Sequence, residues 1–368
     1  MPVLTSRTPA RPVPRRGSRS GRSHRAVAAL TAGLAGVAAL TGCSSEPAPP
    51  AQPAPAPATT ATSPRPAPAP KPAPKPAPTH PLTGKPGTPR GPVLAVKIDN
   101  TGPARPQIGL EAADVVYVEP VEAGLTRLVA VYASRYPRRV GPVRSVRNSD
   151  PELLSAYGRA GLVFSGGAGG PLRTLHRSAL RDLAGQAGYS RDGSRSAPYN
   201  LIADLGRMAR SVRAVARPRD VGFRWADRDP RLDRARHTLR MSAVVGQVTV
   251  SFGFDPRSHR WVQTIGGRHV RTASGARVTT PNVIVQRCRI TVDRGDVDVN
   301  GVPSVLPHTV GSGPVTIFRD GRVITGRWVR PKAGAPTRYV DAAGKDIQLR
   351  TGGAWVLIAA TGTRVRIG

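Results

Sequence analysis

The chain has 368 residues, enough for two or three domains at roughly 100–200 residues each. Its 40 Gly, 39 Pro and 4% aromatics, with much of the proline ahead of residue 90, exclude ordinary globular structure from the first quarter. Two cysteines exclude a disulfide-rich scaffold, and no apolar run after residue 42 approaches the ~20 residues of a membrane span. The formal charge of +33 raises nucleic acid, anionic lipid and acidic wall polymers as partners. Paired zinc ligands, an aromatic RNA-binding strand and a basic heptad helix are all missing, so nucleic acid is not expected. Lysines number only 6 against 49 arginines spread along the chain, a bias that fits GC-rich coding as well as function.

The first elements are an address. Seven arginines without an acid precede the uncharged stretch 26–39, a positive region followed by an apolar one too short for a comfortable span. It ends in Leu40-Thr41-Gly42-Cys43, which resembles the lipobox of bacterial lipoproteins. The resemblance implies a signal peptide over 1–42 and a lipidated Cys43. Two or more acyl chains, of the palmitate type, at ~0.8 kcal/mol per buried CH₂ then hold the protein on the extracytoplasmic side of the cell membrane. Residues 43–90, rich in Pro-Ala and Lys-Pro units, are expected to be an extended, disordered tether.

In the remainder, Val93 to Ile98, Asp114 to Val118 and Thr126 to Ala133 read as strands. Ser149-Asp150-Pro151-Glu152 caps a helix predicted over about 151–160; Gly161 to Ser165 reads as a strand, and 171–183 and 199–215 as helices. From about residue 240 the pattern alternates: 247–252 and 261–265 are predicted strands, and Asp320-Gly321 sits at the turn of a hairpin. The fold class expected is α+β, an α/β-type N-terminal domain over 91–216, a connector over 217–240 and a β-rich C-terminal domain over 241–368. Trp261, Trp328 and Trp355 in the last part read as core, with an aromatic platform for a sugar or peptide as the alternative.

Ile98-Asp99-Asn100, Ala104-Arg105-Pro106-Gln107, Ala113 to Tyr117, Glu122 to Arg127 and Gly141-Pro142-Val143-Arg144-Ser145-Val146-Arg147 together resemble the YerB-like lipoprotein family. What the resemblance implies is a two-domain envelope lipoprotein of unknown activity. The chain departs from the pattern the resemblance implies at Pro198-Tyr199-Asn200-Leu201, where Pro-His-Asn-Leu is expected, so the resemblance carries no histidine-based proton transfer over to this position.

The candidate chemistry follows residue by residue. Asp99, Glu119 and Glu122 are candidate catalytic carboxylates for work on a glycosidic bond, if the fold pairs two of them. Arg105, Arg127, Arg144 and Arg147, with Asn200, are candidate binders of carboxylate or phosphate; the competing expectation is that these arginines simply pair with Asp99 and Glu122. Gly166 and Gly167, in Ser165-Gly166-Gly167-Ala168-Gly169-Gly170, are either an anion cradle or a tight turn. Cys288 is expected to be a packed strand cysteine, and the histidines show no metal spacing, so neither metal nor cofactor is expected. The sequence thus points to binding of an anionic wall component or an envelope protein in an Arg/Glu cleft, with a wall-polymer hydrolase or transferase as the alternative.

Overall fold

The computed structural model describes residues 77–298 and 300–368. Cys43, the leader and most of the tether lie outside the described residues. Strands dominate. The first half runs β1 (Leu94–Asp99), β2 (Val115–Pro120), β3 (Thr126–Tyr132), α1 (Ser149–Leu154), β4 (Gly161–Val163), α2 (Gly169–His176) and β5 (Arg181–Asp182). β6 (Tyr189–Arg191), β7 (Leu201–Ala203) and α3 (Leu205–Ser211) complete it. The second half is nearly all strand: β8 (Arg236–His237), β9 (Arg240–Val245), β10 (Val248–Asp255), β11 (Arg260–Ile265), β12 (Arg268–His269), β13 (Thr279–Thr280) and β14 (Asn282–Cys288). There follow β15 (Ile290–Val297), β16 (Pro303–Pro307), β17 (Gly311–Arg319), β18 (Arg322–Arg330), β19 (Arg338–Val340), β20 (Ala354–Ala360) and β21 (Arg366–Ile367).

The two halves set apart in sequence share one mixed sheet of 11 strands, in the order β19-β18-β17-β14-β20-β2-β3-β1-β4-β5, with β8 beside β18. The seam is the parallel pairing of β20 with β2, Val115 opposite Ala354 through Val118 opposite Leu357. A central strand covered on both faces has to be apolar on both, and β1, β2 and β3 are buried at every position. One face packs on the second, antiparallel sheet β12-β11-β10-β9-β21 through Val96, Val116, Leu128, Phe252, Trp261 and Trp355. The other face, with Ala95, Tyr117 and Val129, packs on α1, α2 and the loops around them. All three expected core tryptophans are buried, which removes the aromatic-platform alternative.

Several expectations are corrected. The helix expected to 183 stops at His176, where Ser178 N–H and Oγ both donate to the Leu175 carbonyl and break the helical ladder. The one expected over 199–215 is shorter, because 201–203 joins the β6–β7 ribbon. Only then does Asp204, whose Oδ1 accepts from Arg207 N–H at 2.8 Å, start α3. Residues 77–90 are not tether: Leu82 is fully buried in the core and the Trp225 indole donates to the Pro81 carbonyl at 2.8 Å. The connector expected over 217–240 is itself packed into the fold. Val221 and Phe223 are buried, and the Arg319 guanidinium binds the carbonyls of Ala226 and Asp227, each at 2.9 Å.

Candidate functional site

Side chains alternate along a strand, so Lys97 and Asp99 on β1, Glu119 on β2 and Arg127 on β3 all share the face of Ala95, Tyr117 and Val129. Register does the rest: Asp99 lies opposite Arg127, and Arg127 opposite Glu119, forming a charged row across three adjacent strands. Over this row lie the segment 144–147, α1 and the turn Glu122–Gly124. That turn needs left-handed backbone at both Ala123 (φ 53) and Gly124 (φ 68), and it aims Glu122 back at the row.

Here the chain forms a cleft of about 580 Å³ lined by Glu122, Arg127, Arg144, Ser145, Arg147, Gly167 and, from the second half, Asp296. Arg147 grips Glu122 with two prongs, Nε to Oε2 at 2.8 Å and Nη2 to Oε1 at 2.6 Å. Arg127 stands 3.6 Å from Glu122 and 3.8 Å from Asp99. Burial acts to raise the Glu122 carboxyl pKa; the Arg147 bonds and charge, helped by Arg127, overcome it and hold the group below its ordinary value. Arg144 is the most open of the three: its Nε is 2.6 Å from Asp99, its guanidinium lies 5.4 Å from the centre of the Tyr199 ring, and its side chain is 22% exposed. Among the described residues its Nη groups have no hydrogen-bond partner. Tyr199 is therefore a cation–π platform for Arg144.

Asp296 was not found by sequence reasoning. It comes from the exposed ribbon β15–β16, and its Oδ2, 3.4 Å from Arg147 Nε, is buried without a hydrogen-bond partner. Burial pushes its carboxyl up to about 6, opposed by Arg147 and aided by Asp293 and Glu122. The only local signal is a run of three aspartates, 293, 296 and 298, in a polar strand that reads as solvated surface. What carries Asp296 in is contact between elements. Gly170 of α2 lies against the Gly295 carbonyl, and Asn148 Nδ2 donates to Asp293 at 2.8 Å.

Of the three candidate carboxylates, only Glu122 lines the cleft. Asp99 lies beneath it, fully buried, clamping Arg144 and accepting from Thr101 N–H at 2.7 Å. Glu119 is also fully buried and contacts Lys97, so no substrate reaches it. Arg105 sits apart, donating to the Asn100 carbonyl at 2.8 Å and lining a neighbouring cavity with Arg195 and Tyr199. Asn200 is occupied in the β6–β7 ribbon by Arg191, at 2.7 Å, and does not line the cleft. Gly166 accepts from Val146 N–H and faces open space; Gly167 packs on Val146. At the helix start behind them Gly170 lies against the Gly295 carbonyl, so this loop packs closely on the β15–β16 ribbon. Cys288 is buried, its thiol pushed up to about 12 by burial and then by Glu152, which leaves it inert. Among the described residues no cluster of metal-ligating side chains occurs, and no helix is long and apolar enough to cross a membrane.

Two family profiles match this architecture. The N-terminal domain of DUF3048, a protein of unknown function, matches residues 82–219, and the DUF3048 C-terminal domain matches residues 239–356. The chain is 26% identical over 265 residues to "Putative lipoprotein YerB" of Bacillus subtilis (strain 168), covering 67% of this chain and 77% of that protein. The crystal structure of the YerB protein from Bacillus subtilis superposes with a TM-score of 0.65 at 20% identity, covering 78% of this chain and 99% of that one. At that identity the superposition shows a shared fold.

Proposed function

Since the chain belongs to the YerB-like lipoprotein family, we propose that it is lipid-anchored through Cys43 on the extracytoplasmic side of the membrane and that its cleft binds an anionic envelope group at Arg144. The observation that carries the reading is the state of Arg144. Its neighbours Arg127 and Arg147 are spent on Glu122 and Asp99, whereas Arg144, which lines the cleft, is held in place by Asp99 and Tyr199 and its Nη donors have no partner among the described residues. A fixed, half-open guanidinium is suited to a phosphate or carboxylate, and a charge-assisted hydrogen bond of this kind is worth about 1.5–3 kcal/mol.

A second reading, hydrolysis of a wall polymer, is favoured by one observation. Glu122 Oε2 and Asp296 Oδ2 lie 2.8 and 3.4 Å from the same nitrogen of Arg147. These oxygens are thus closer together than the roughly 6.5–9.5 Å of an inverting carboxyl pair. With Glu122 held ionised and Asp296 holding its proton up to about pH 6, the two have the opposed protonation states that acid–base work needs.

Incubating the full chain with wall sacculi that retain their anionic polymers separates the readings. Binding that falls about tenfold or more in Arg144→Ala, and disappears when the polymers are stripped, supports the first. Release of fragments that stops in Asp296→Asn supports the second. Binding indifferent to Arg144 and to the polymers overturns the anion-binding proposal.

A further inference from the structure

Beneath the cleft, and independent of what it binds, Lys97 is enclosed with two carboxylates. The Lys97, Glu119 and Asp150 side chains are all completely buried. Lys97 Nζ contacts Glu119 Oε1 most closely and lies 2.9 Å from Asp150 Oδ1. Both carboxyls are fixed from behind: Ser149 Oγ donates to Glu119 Oε2 at 3.1 Å, and Arg147 N–H to Asp150 Oδ2 at 2.7 Å. We infer that Lys97 and Glu119 are joined by an intrachain amide, formed within the folded protein with Asp150 as the proton carrier.

As separate ions the three groups make poor energetic sense. Each buried ion loses its hydration, and here one ammonium faces two carboxylates. Condensation removes one charge of each sign from the interior. Burial, reinforced by the charges of Arg147 and Arg127 and opposed by Asp150, pulls the Lys97 pKa down, which favours the neutral, nucleophilic amine. The fold holds amine and carboxyl in contact, an arrangement worth effective molarities of about 10⁵–10⁸ M in oriented pairs. Lys97 is the only amine among these groups; the other bases, Arg127, Arg144 and Arg147, are guanidinium groups, whose delocalised charge makes them poor nucleophiles.

The step balances without any other reagent. The Nζ lone pair of neutral Lys97 attacks Cδ of protonated Glu119, and the N–C bond forms. The Asp150 carboxylate takes a proton from Nζ and returns it to the departing hydroxyl. The C–O bond breaks and one water leaves, with nothing oxidised or reduced. The product ties β1 to β2 across the intervening strand β3.

Peptide mass mapping of the full chain tests this directly. Trypsin normally cuts after Arg90, Lys97 and Arg127 but not between Arg105 and Pro106, so a free Lys97 gives peptides 91–97 and 98–127 at full mass. The amide predicts a single 91–127 species, one water lighter, uncut at Lys97 and with fragments placing the link at Glu119. In Asp150→Asn, shown to be folded by a cooperative melt, the two full-mass peptides should return. Cleavage after Lys97 at full mass in the folded wild-type chain overturns the inference and leaves a buried ion triad; that result needs no variant. A branched species carrying 148–159 overturns the assignment of Glu119, since the acyl group would then come from Asp150.

Discussion

Arg147 connects the cleft to the buried layer: its guanidinium forks onto Glu122 and reaches Asp296, while its backbone N–H holds Asp150. The two cleft carboxyls it touches respond to pH with opposite sign. Glu122 sits below its ordinary 4.5 in the fold, so its contribution is present above that value and is lost as pH falls through the folded one. Asp296 sits above its ordinary 3.8, at about 6, so between those values the fold keeps a proton that the unfolded chain has released. The Asp296 contribution should therefore fall as pH rises through that window and level off above it, while that of Glu122 rises only up to 4.5. Urea midpoints taken above that value and up to about pH 6 should decline more steeply, or rise less, in the wild-type chain than in Asp296→Asn. Parallel curves for the two proteins would mean that another group titrates there. The sequence exposes Glu122 through its place in Glu122-Ala123-Gly124, but nothing local distinguishes Asp296 from the solvated aspartates beside it. Its burial exists only because α2 and the β15–β16 ribbon meet.

At the scale of elements, legibility follows periodicity. Fully buried strands such as β1 and β3 and the hairpin of β17 and β18 around Asp320-Gly321 announce themselves through apolar runs and a turn with left-handed residues, φ 51 and 66. Helices here are short and end through contacts that propensity does not encode, so 171–183 and 199–215 read too long. The seam between β2 and β20 joins residues remote in sequence, and two apolar strands carry no label for their partner. The same holds for the contact that completes the cleft. A Cβ on Gly170 would stand 1.9 Å from the Gly295 carbonyl, a backbone atom that cannot turn aside. Gly170→Ala should therefore push the β15–β16 ribbon off α2, cost about 1–3 kcal/mol and withdraw Asp296 from Arg147. The diagnostic is loss of the Asp296-dependent pH slope in a protein that still melts cooperatively. A slope unchanged in Gly170→Ala would show that the ribbon is held from elsewhere.

For the whole molecule, composition speaks to location and charge but leaves the partner open, and the structure divides that charge into two kinds. Most of the arginine is dispersed, consistent with coding bias, whereas Arg144 is held by Asp99 and Tyr199. Dispersed surface charges act on an anionic wall at long range, and salt screens them: the Debye length shrinks from about 10 Å at 0.1 M to about 3 Å at 1 M. A guanidinium in contact with its anion inside a cleft is screened much less. Retention of the full chain on sacculi should accordingly show two components as salt rises from about 0.1 to about 1 M. The larger should wash off with equal ease from wild-type and Arg144→Ala protein, and a residue of binding should persist in the wild-type alone. Identical salt curves for the two proteins would assign all retention to dispersed charge and take the cleft out of wall binding. A persistent fraction that depends on Arg144 would make the fold, rather than the net charge, the source of its specificity.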